Sequence, residues 1–442
     1  MNPIVVKFGG SSLATAAQFE KVAAIIREAP ARRYVVASAP GKRFDGDTKV
    51  TDLLYRCYDA ACAGQEFAPV LDEIRQRFAD IIGALRLSAN LEPDFAAIEA
   101  HLRQSPQRDY MASRGEYLNS KLLAAYLGFR FVDAAQMVLF RADGSFDPEA
   151  TNTAIGHALV SVEHAVIPGF YGAMPDGSVH TFSRGGSDIT GALAAAALDA
   201  DVYENWTDVS GFLMADPKIV KDPKPIERIT YAELRELSYI GAQVLHEGTV
   251  SPVREKNIPL NIRNTNQPEH PGTMIRETFE ESETERTSGS MITGIAGKKG
   301  FSVITLTKNG MSSELGAVRR ILEVLERYNI NVDYLPSGID SVSLVVETGK
   351  SSPYLYQAMG DLEKEIKPDS LHLTDGMAIV AAVGRKMAFQ PGSSGKIFGK
   401  LGENGINIRM ITQGPEELNI IVGVDGADFE KAIRALYDSF VK

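Results

Sequence analysis

Residues 5–13 read VVKFGGSSL. Val5 and Val6 open a buried strand, yet the same strand carries Lys7 and runs through Phe8 into Gly9, Gly10, Ser11 and Ser12. Glycine weakens a strand, and serine prefers turns and helix N-caps. A strand that stops this way lets a ligand approach the backbone, and the lysine beside it points to a phosphate. The next stretch, AAQFEKVAAIIREA (16–29), puts Phe19, Val22, Ala23 and Ile26 at helical spacing, and RYVVASA (33–39) reads as a second buried strand. Strand, glycine turn, helix and strand make the βαβ start of a parallel sheet. Further strands are expected at FRFVDAAQMV (129–138), HAVIPGFYG (164–172) and IPLNIRN (258–264).

The chain has 442 residues, too many for one ordinary core. Its apolar fraction of 44% and charged fraction of 23% suit a soluble globular protein. A net charge of -11 argues against a general nucleic-acid-binding surface but not against local anion sites. Two cysteines, Cys57 and Cys62, make no disulfide framework, and their spacing on a helix puts them on different faces, which disfavours a shared metal. No signal-peptide pattern opens the sequence, and its longest apolar run, GALAAAALDADV, is too short to span a bilayer. The expectation is a cytoplasmic protein without nucleic-acid or membrane partners.

The first domain is expected over residues 1–276, followed by a polar, mostly acidic linker over 277–290. The remainder contains a repeat. ILEVLERYNINVDYL (321–335) and KIFGKLGENGINIRMI (396–411) each read as a helix, a turn that ends in Ile-Asn and a strand, so Asn331 and Asn407 correspond. Strands precede these helices at FSVITLT and GMAIVAAVG and follow at SVSLVVE and ELNIIVGVD, and a second helix ends each copy. Two βαββαβ units are therefore expected, over 291–375 and 376–442, with a strand in 291–300 a candidate to complete the second. Such a pair is either a packing module or a small-molecule sensor.

A second glycine pair stands in FSRGGSDIT (182–190), with Arg184 before it and Ser187 and Asp188 after it, opening an alanine-rich helix. Arginine offers a fork for a carboxylate or phosphate, although Arg184 and Asp188 can also be read as a capping ion pair. Two glycine turns, each with its own cation, suit two anionic groups meeting. ASRGEYLNSKLLAAYL (112–127) is expected to put Glu116 at a helix start, either as a favourable charge there or as a partner for a substrate ammonium group. WTDVSGFLMADPK (206–218) holds Thr207, Asp208, Gly211, Asp216, Pro217 and Lys218 on a turn-rich loop that is either a connector or a nucleotide-binding segment. No P-loop occurs; GSSGK (392–396) has the wrong spacing, and kinase catalytic-loop motifs are missing.

Together KFGGSS, SRGE, SRGGSD and TDVSGF…ADPK, followed by two βαββαβ repeats, resemble the aspartate kinases of the amino acid kinase family, with tandem ACT domains behind the catalytic domain. The resemblance spans nearly the whole chain. It implies a three-layer α/β sandwich around a mainly parallel sheet, then two ferredoxin-like ACT domains. It further implies transfer of the ATP γ-phosphoryl group to the β-carboxylate of L-aspartate, giving 4-phospho-L-aspartate on the way to lysine, threonine and methionine, with Mg2+ arriving on ATP. Carried over by motif, Lys7, Asp188 and Arg184 are catalytic. Phe8, Gly9, Gly10, Ser11, Thr207, Asp208, Gly211, Asp216, Pro217 and Lys218 line the nucleotide. Ser38, Thr51, Glu116, Arg184 and Ser187 hold aspartate, with no resident metal ligands. In the first ACT copy, Met311, Ser313, Gly316 and Asp333 are the expected effector contacts, for lysine first and threonine next, between subunits of a homodimer or larger homo-oligomer. The sequence departs from the common pattern at Gln243, at Lys218 and in the longer loop APGKRFDGDTKVTD (39–52), all of which bear on nucleotide contact. Two rivals stay open at this point: a related kinase with another acceptor, and a non-catalytic amino-acid-binding protein.

Overall fold

The computed structural model describes residues 2–183, 185–241, 245, 249–280, 291–351, 353–414 and 416–441. Two compact units divide the chain. The first comprises Met1–Phe212, Pro225–Tyr231 and Val244–Phe279; the second comprises Leu213–Lys224, Ala232–Gln243 and Glu280–Lys442.

In the first unit an eight-stranded sheet takes β1 (Ile4–Phe8), β2 (Arg32–Ala37), β3 (Arg130–Phe131), β4 (Ala165–Pro168), β7 (Val202–Thr207), β8 (Arg228–Thr230), β9 (Leu260–Asn264) and β10 (Thr273–Arg276) in the order β3-β4-β2-β1-β7-β9-β10-β8. Every pairing is parallel except β9 with β10. A small hairpin of β5 (Tyr171–Ala173) and β6 (Val179–Thr181) stands apart. Central β1 is almost wholly buried, which is why it reads as an unbroken apolar run up to its lysine. Helix α1 (Ala16–Glu28) starts where the Thr15 hydroxyl accepts a bond from the Gln18 amide, and it stops before Pro30. Its Phe19, Val22, Ala23 and Ile26 are buried as the spacing requires. Helices α2 (Val50–Cys62), α3 (Ala68–Leu85), α4 (Glu92–Gln104) and α5 (Arg108–Leu127) bury apolar stripes in the same core, while α6 (Pro148–Leu159) and α7 (Gly186–Ala197) complete the unit's main helices.

Two local expectations need correction. FRFVDAAQMV makes only a two-residue strand, because the Asp133 carboxylate accepts the Ala135 amide and turns the chain into a 3-10 helix. Glu116 does not begin a helix. It sits in the middle of the 20-residue α5, which runs on to an αL glycine, Gly128.

The second unit is built on a five-stranded antiparallel sheet of β11 (Gly294–Thr307), β12 (Ser341–Glu347), β13 (Ser370–Val383), β14 (Met410–Thr412) and β15 (Asn419–Asp425), in the order β12-β11-β13-β15-β14. Strands β11 and β13 are each 14 residues long, and their two halves serve two different cores. Ile304 and Leu306 pack with the helices Ala317–Arg327 and Leu355–Ile366, whereas Ile295, Ala378 and Val380 pack with Ser393–Glu403 and Phe429–Phe440. The repeated βαββαβ pattern thus becomes one continuous sheet. Residues 281–290, most of the expected linker, lie outside the described residues.

Candidate active site

Strands β1 and β7 run side by side, with Lys7 in register with Asn205. That register puts two polar side chains under the glycine turn. The Lys7 Nζ lies 2.6 Å from the Asp188 Oδ1, in the first turn of α7, and donates to the Asn205 Oδ1 at 3.3 Å. The Asn205 amide closes the triangle by donating to Asp188 at 2.9 Å. Lys7 and Asn205 are both buried, so the ammonium is held in one place by a carboxylate and an amide rather than swept by solvent.

Above this triangle the chain is unusually tight. Gly41 donates its amide to the Gly10 carbonyl at 2.8 Å. A Cβ on Gly10 would stand 2.8 Å from the Ala39 carbonyl, and one on Gly41 would stand 2.6 Å from Gly10, so no side chain fits at either position. Gly9, Gly10 and Ser11 form one wall of a cavity of about 560 Å³. Ser38, Thr51 and Glu116 line it as well, and so do Thr207 and Asp208. Eight of the residues singled out in the sequence therefore meet in one cavity.

Glu116 is brought there by Gly115, since a Cβ at 115 would come within 2.7 Å of the Ala39 side chain. Helix α5 can thus pass close beneath the end of β2, and Glu116 is almost fully buried against it. Burial pushes its carboxyl up to about 8, opposed by backbone hydrogen bonds, and among the described residues its Oε2 has no hydrogen-bond partner. A buried carboxyl with a free oxygen on a cavity wall suits an incoming cation, which would favour its ionised form.

The other expected residues are placed differently. Phe8 turns its ring into the core against Trp206, 6.0 Å away between ring centres. Ser187 is buried at the start of α7 against Gly169. Gly211 lies against Thr273 on β10, apart from the cavity. Asp216, Pro217 and Lys218 belong to the second unit, where the Asp216 carboxylate accepts the Lys218 amide in a tight turn. Pro217 and Lys218 line a separate depression there with Lys221. Arg184 and Gln243 lie outside the described residues. The sequence reading missed Asn205, whose only signal is its place two residues before Thr207, and it missed the cations Lys42, Arg43 and Lys49 that the loop after β2 brings to the cavity.

In the second unit Asp333 accepts a hydrogen bond from the Tyr239 hydroxyl at 2.9 Å. Asp333 and Tyr239 line a cavity of about 210 Å³ together with Lys298 and Glu347. Met311 and Ser313 form a 3-10 turn that is separate from the helix after it. That helix starts at Ala317 with Gly316 as its N-cap. The Met311 side chain is buried in the core.

A mainly parallel sheet with a lysine and a glycine turn at one strand end, and a buried carboxyl on the wall of the cavity that the turn lines, suits phosphoryl transfer to a small amino compound. The amino acid kinase family profile matches residues 2–264, and an ACT domain profile matches residues 380–440. The chain belongs to the amino acid kinase family, and within it to the aspartokinases. Aspartokinase 3 of Bacillus subtilis is 36% identical over 99% of this chain and 98% of its own length. The solved aspartate kinase of Clostridium acetobutylicum superposes with a TM-score of 0.91 at 46% identity, covering 100% of both chains. Aspartokinase III of E. coli, solved in complex with aspartate and ADP, matches with a TM-score of 0.73 at 26% identity over 99% of this chain and 100% of its own. Among the described residues no helix is long and apolar enough to cross a membrane.

Proposed function

We propose that this chain is an ATP:L-aspartate 4-phosphotransferase. The observation that carries the reading is the unpartnered carboxylate oxygen of Glu116 in the same cavity as the Gly9–Gly10 cradle. One end of the cavity suits a triphosphate and the other suits an α-ammonium group. Glu116 takes that ammonium group, with Ser38 and Thr51 beside the aspartate and Arg184 and Ser187 assigned to its carboxylates by sequence. The β-carboxylate is ionised at neutral pH and needs no general base. Its oxygen attacks the γ-phosphorus, the P–O bond to the β-phosphate breaks, and ADP leaves. Lys7 neutralises charge on the transferring group, while Asp188 and Asn205 hold Lys7 in position. The backbone amides of Gly10 and Ser11 are assigned to the phosphates, whereas the Gly9 amide is used on the Trp206 carbonyl at 3.0 Å. Magnesium would arrive on the triphosphate, for which the oxygens of Thr207 and Asp208 on the cavity wall are suitable ligands, and would supply charge neutralisation when bound. Phe8, Gly211, Asp216, Pro217 and Lys218 are assigned to the nucleotide by family pattern alone.

The second unit is proposed to sense an amino-acid end product. Aspartokinase III of E. coli has been solved in complex with lysine and aspartate, as a T-state, with a TM-score of 0.72 at 26% identity. Asp333 is the residue here best suited to an effector ammonium group, with Ser313 and the Gly316 turn assigned to the effector by family pattern. Lysine is the first candidate and threonine the second. The exposed apolar side chains of Leu315, Val318, Leu322, Leu335 and Ile339 suit a second copy of the chain covering this region. The test is ADP formation from ATP with L-aspartate, L-glutamate and N-acetyl-L-glutamate as separate acceptors, repeated with lysine and threonine added.

A further inference from the structure

Arg77 lies on the buried stripe of α3, among Leu71, Ile74, Phe78 and Ile81, and only 4% of it is exposed. A guanidinium in that position is costly unless its hydrogens are used. Its two terminal nitrogens are used on one object, while Nε has no hydrogen-bond partner among the described residues. Nη1 donates to the Thr48 carbonyl at 2.5 Å, and Nη2 donates to the Gly41 carbonyl at 2.7 Å. Gly41 and Thr48 are the two ends of the loop that carries Lys42 and Arg43 into the cavity. Within the loop, Asp47 is buried; it accepts Arg43 through both carboxylate oxygens and its own Oδ2 is 3.5 Å from Arg77. These contacts hold the Asp47 carboxyl far below the usual carboxylate range, with the Arg43 side chain the main cause.

We infer that Arg77 is a positioning residue: it clamps both ends of the Gly41–Thr48 loop, and through Gly41 it sets the Gly10 wall of the phosphate cradle. The connection is continuous. Arg77 fixes the Gly41 carbonyl, the Gly41 amide donates to the Gly10 carbonyl at 2.8 Å, and the two backbones approach so closely that neither position has room for a side chain. Arginine is required because one planar fork meets two carbonyls; a lysine supplies the charge without the fork. The clamp rests on the phosphotransferase reading for its catalytic consequence but not for its structural one.

Limited trypsinolysis of the full chain tests the clamp directly, since Lys42, Arg43 and Lys49 are cleavage sites within or beside the loop. Arg77→Met and Arg77→Lys should each speed cleavage at these sites at least tenfold relative to sites elsewhere in the chain, followed by mass spectrometry. In the same preparations kcat should fall at least tenfold, per folded molecule, with the aspartate KM changed less than threefold. Uniformly faster cleavage with unchanged kcat per folded molecule would reduce Arg77 to a stability residue and overturn the inference. Wild-type behaviour of Arg77→Lys in both readouts would overturn the forked clamp. Should the wild-type chain fail to phosphorylate aspartate, the proposed function fails and the cleavage pattern alone decides the clamp.

Discussion

Lys7 is held by Asp188 and Asn205 beneath the glycine turn, and each partner has its own expected signature. Lys7→Ala should lower kcat by a factor corresponding to about 3 kcal/mol or more, the scale of losing one positioned charge at a phosphoryl transition state, with thermal melting unchanged within a few degrees; steady-state kinetics and calorimetry check both. Glu116 gives a pH-dependent prediction. Its carboxyl is pushed up to about 8 in the folded chain from an ordinary value of 4.5, so the folded state keeps a proton that the unfolded state has lost. Stability from this group is therefore full below about pH 4.5 and is lost as pH rises through about 8. Glu116→Gln should raise the melting temperature of the ligand-free protein at pH 8.5 more than at pH 5.5. It should also raise the aspartate KM with a smaller effect on kcat, because an ammonium partner is lost. Equal melting shifts at both pH values would contradict the buried, raised carboxyl.

At the scale of elements, helix α2 separates its two thiols as spacing demanded: Cys57 is buried and Cys62 is exposed. Burial pushes the Cys57 thiol up to about 12, so it carries almost no thiolate at neutral pH. Maleimide should label one thiol per native chain, at Cys62, and two after denaturation; peptide mapping distinguishes this from labelling of both. Much of this level was legible in the sequence. Val5-Val6 followed by Lys7 and the glycine pair gave the strand and its turn, and Phe19, Val22 and Ile26 gave the face of α1, because each rests on local periodicity. Glu116 was misjudged for the opposite reason. Gly115 resembles a break, but it is a close-packing site inside a long helix, and only the tertiary approach of Ala39 explains it. Asn205 and Arg77 were invisible because their partners are distant in the chain; no local pattern marks an amide that will face Lys7 or an arginine that will fork to two carbonyls.

For the whole molecule, the repeat around Asn331 and Asn407 announced two βαββαβ units, yet not that β11 and β13 would each run through both. A 14-residue strand reads as two separate short ones when its halves face different cores. Asp333 accepts the Tyr239 hydroxyl through Oδ1 in the structure, so an effector ammonium group would share or replace that partner. Asp333→Ala should leave basal turnover nearly intact while lysine or threonine inhibition disappears, as differential binding to two states requires. Leu315→Asp with Ile339→Asp should lower the oligomer mass seen by light scattering; an unchanged mass would remove this region from the subunit contact.

The most direct test of the whole account is the product itself. Incubation of the chain with ATP, Mg2+ and L-aspartate, trapped with hydroxylamine, should yield aspartyl hydroxamate in step with ADP, and L-glutamate or N-acetyl-L-glutamate in place of aspartate should yield little. ADP released without hydroxamate, or a faster reaction with either alternative acceptor, would contradict the assignment of Glu116 and the glycine cradle to a single aspartate-phosphorylating site.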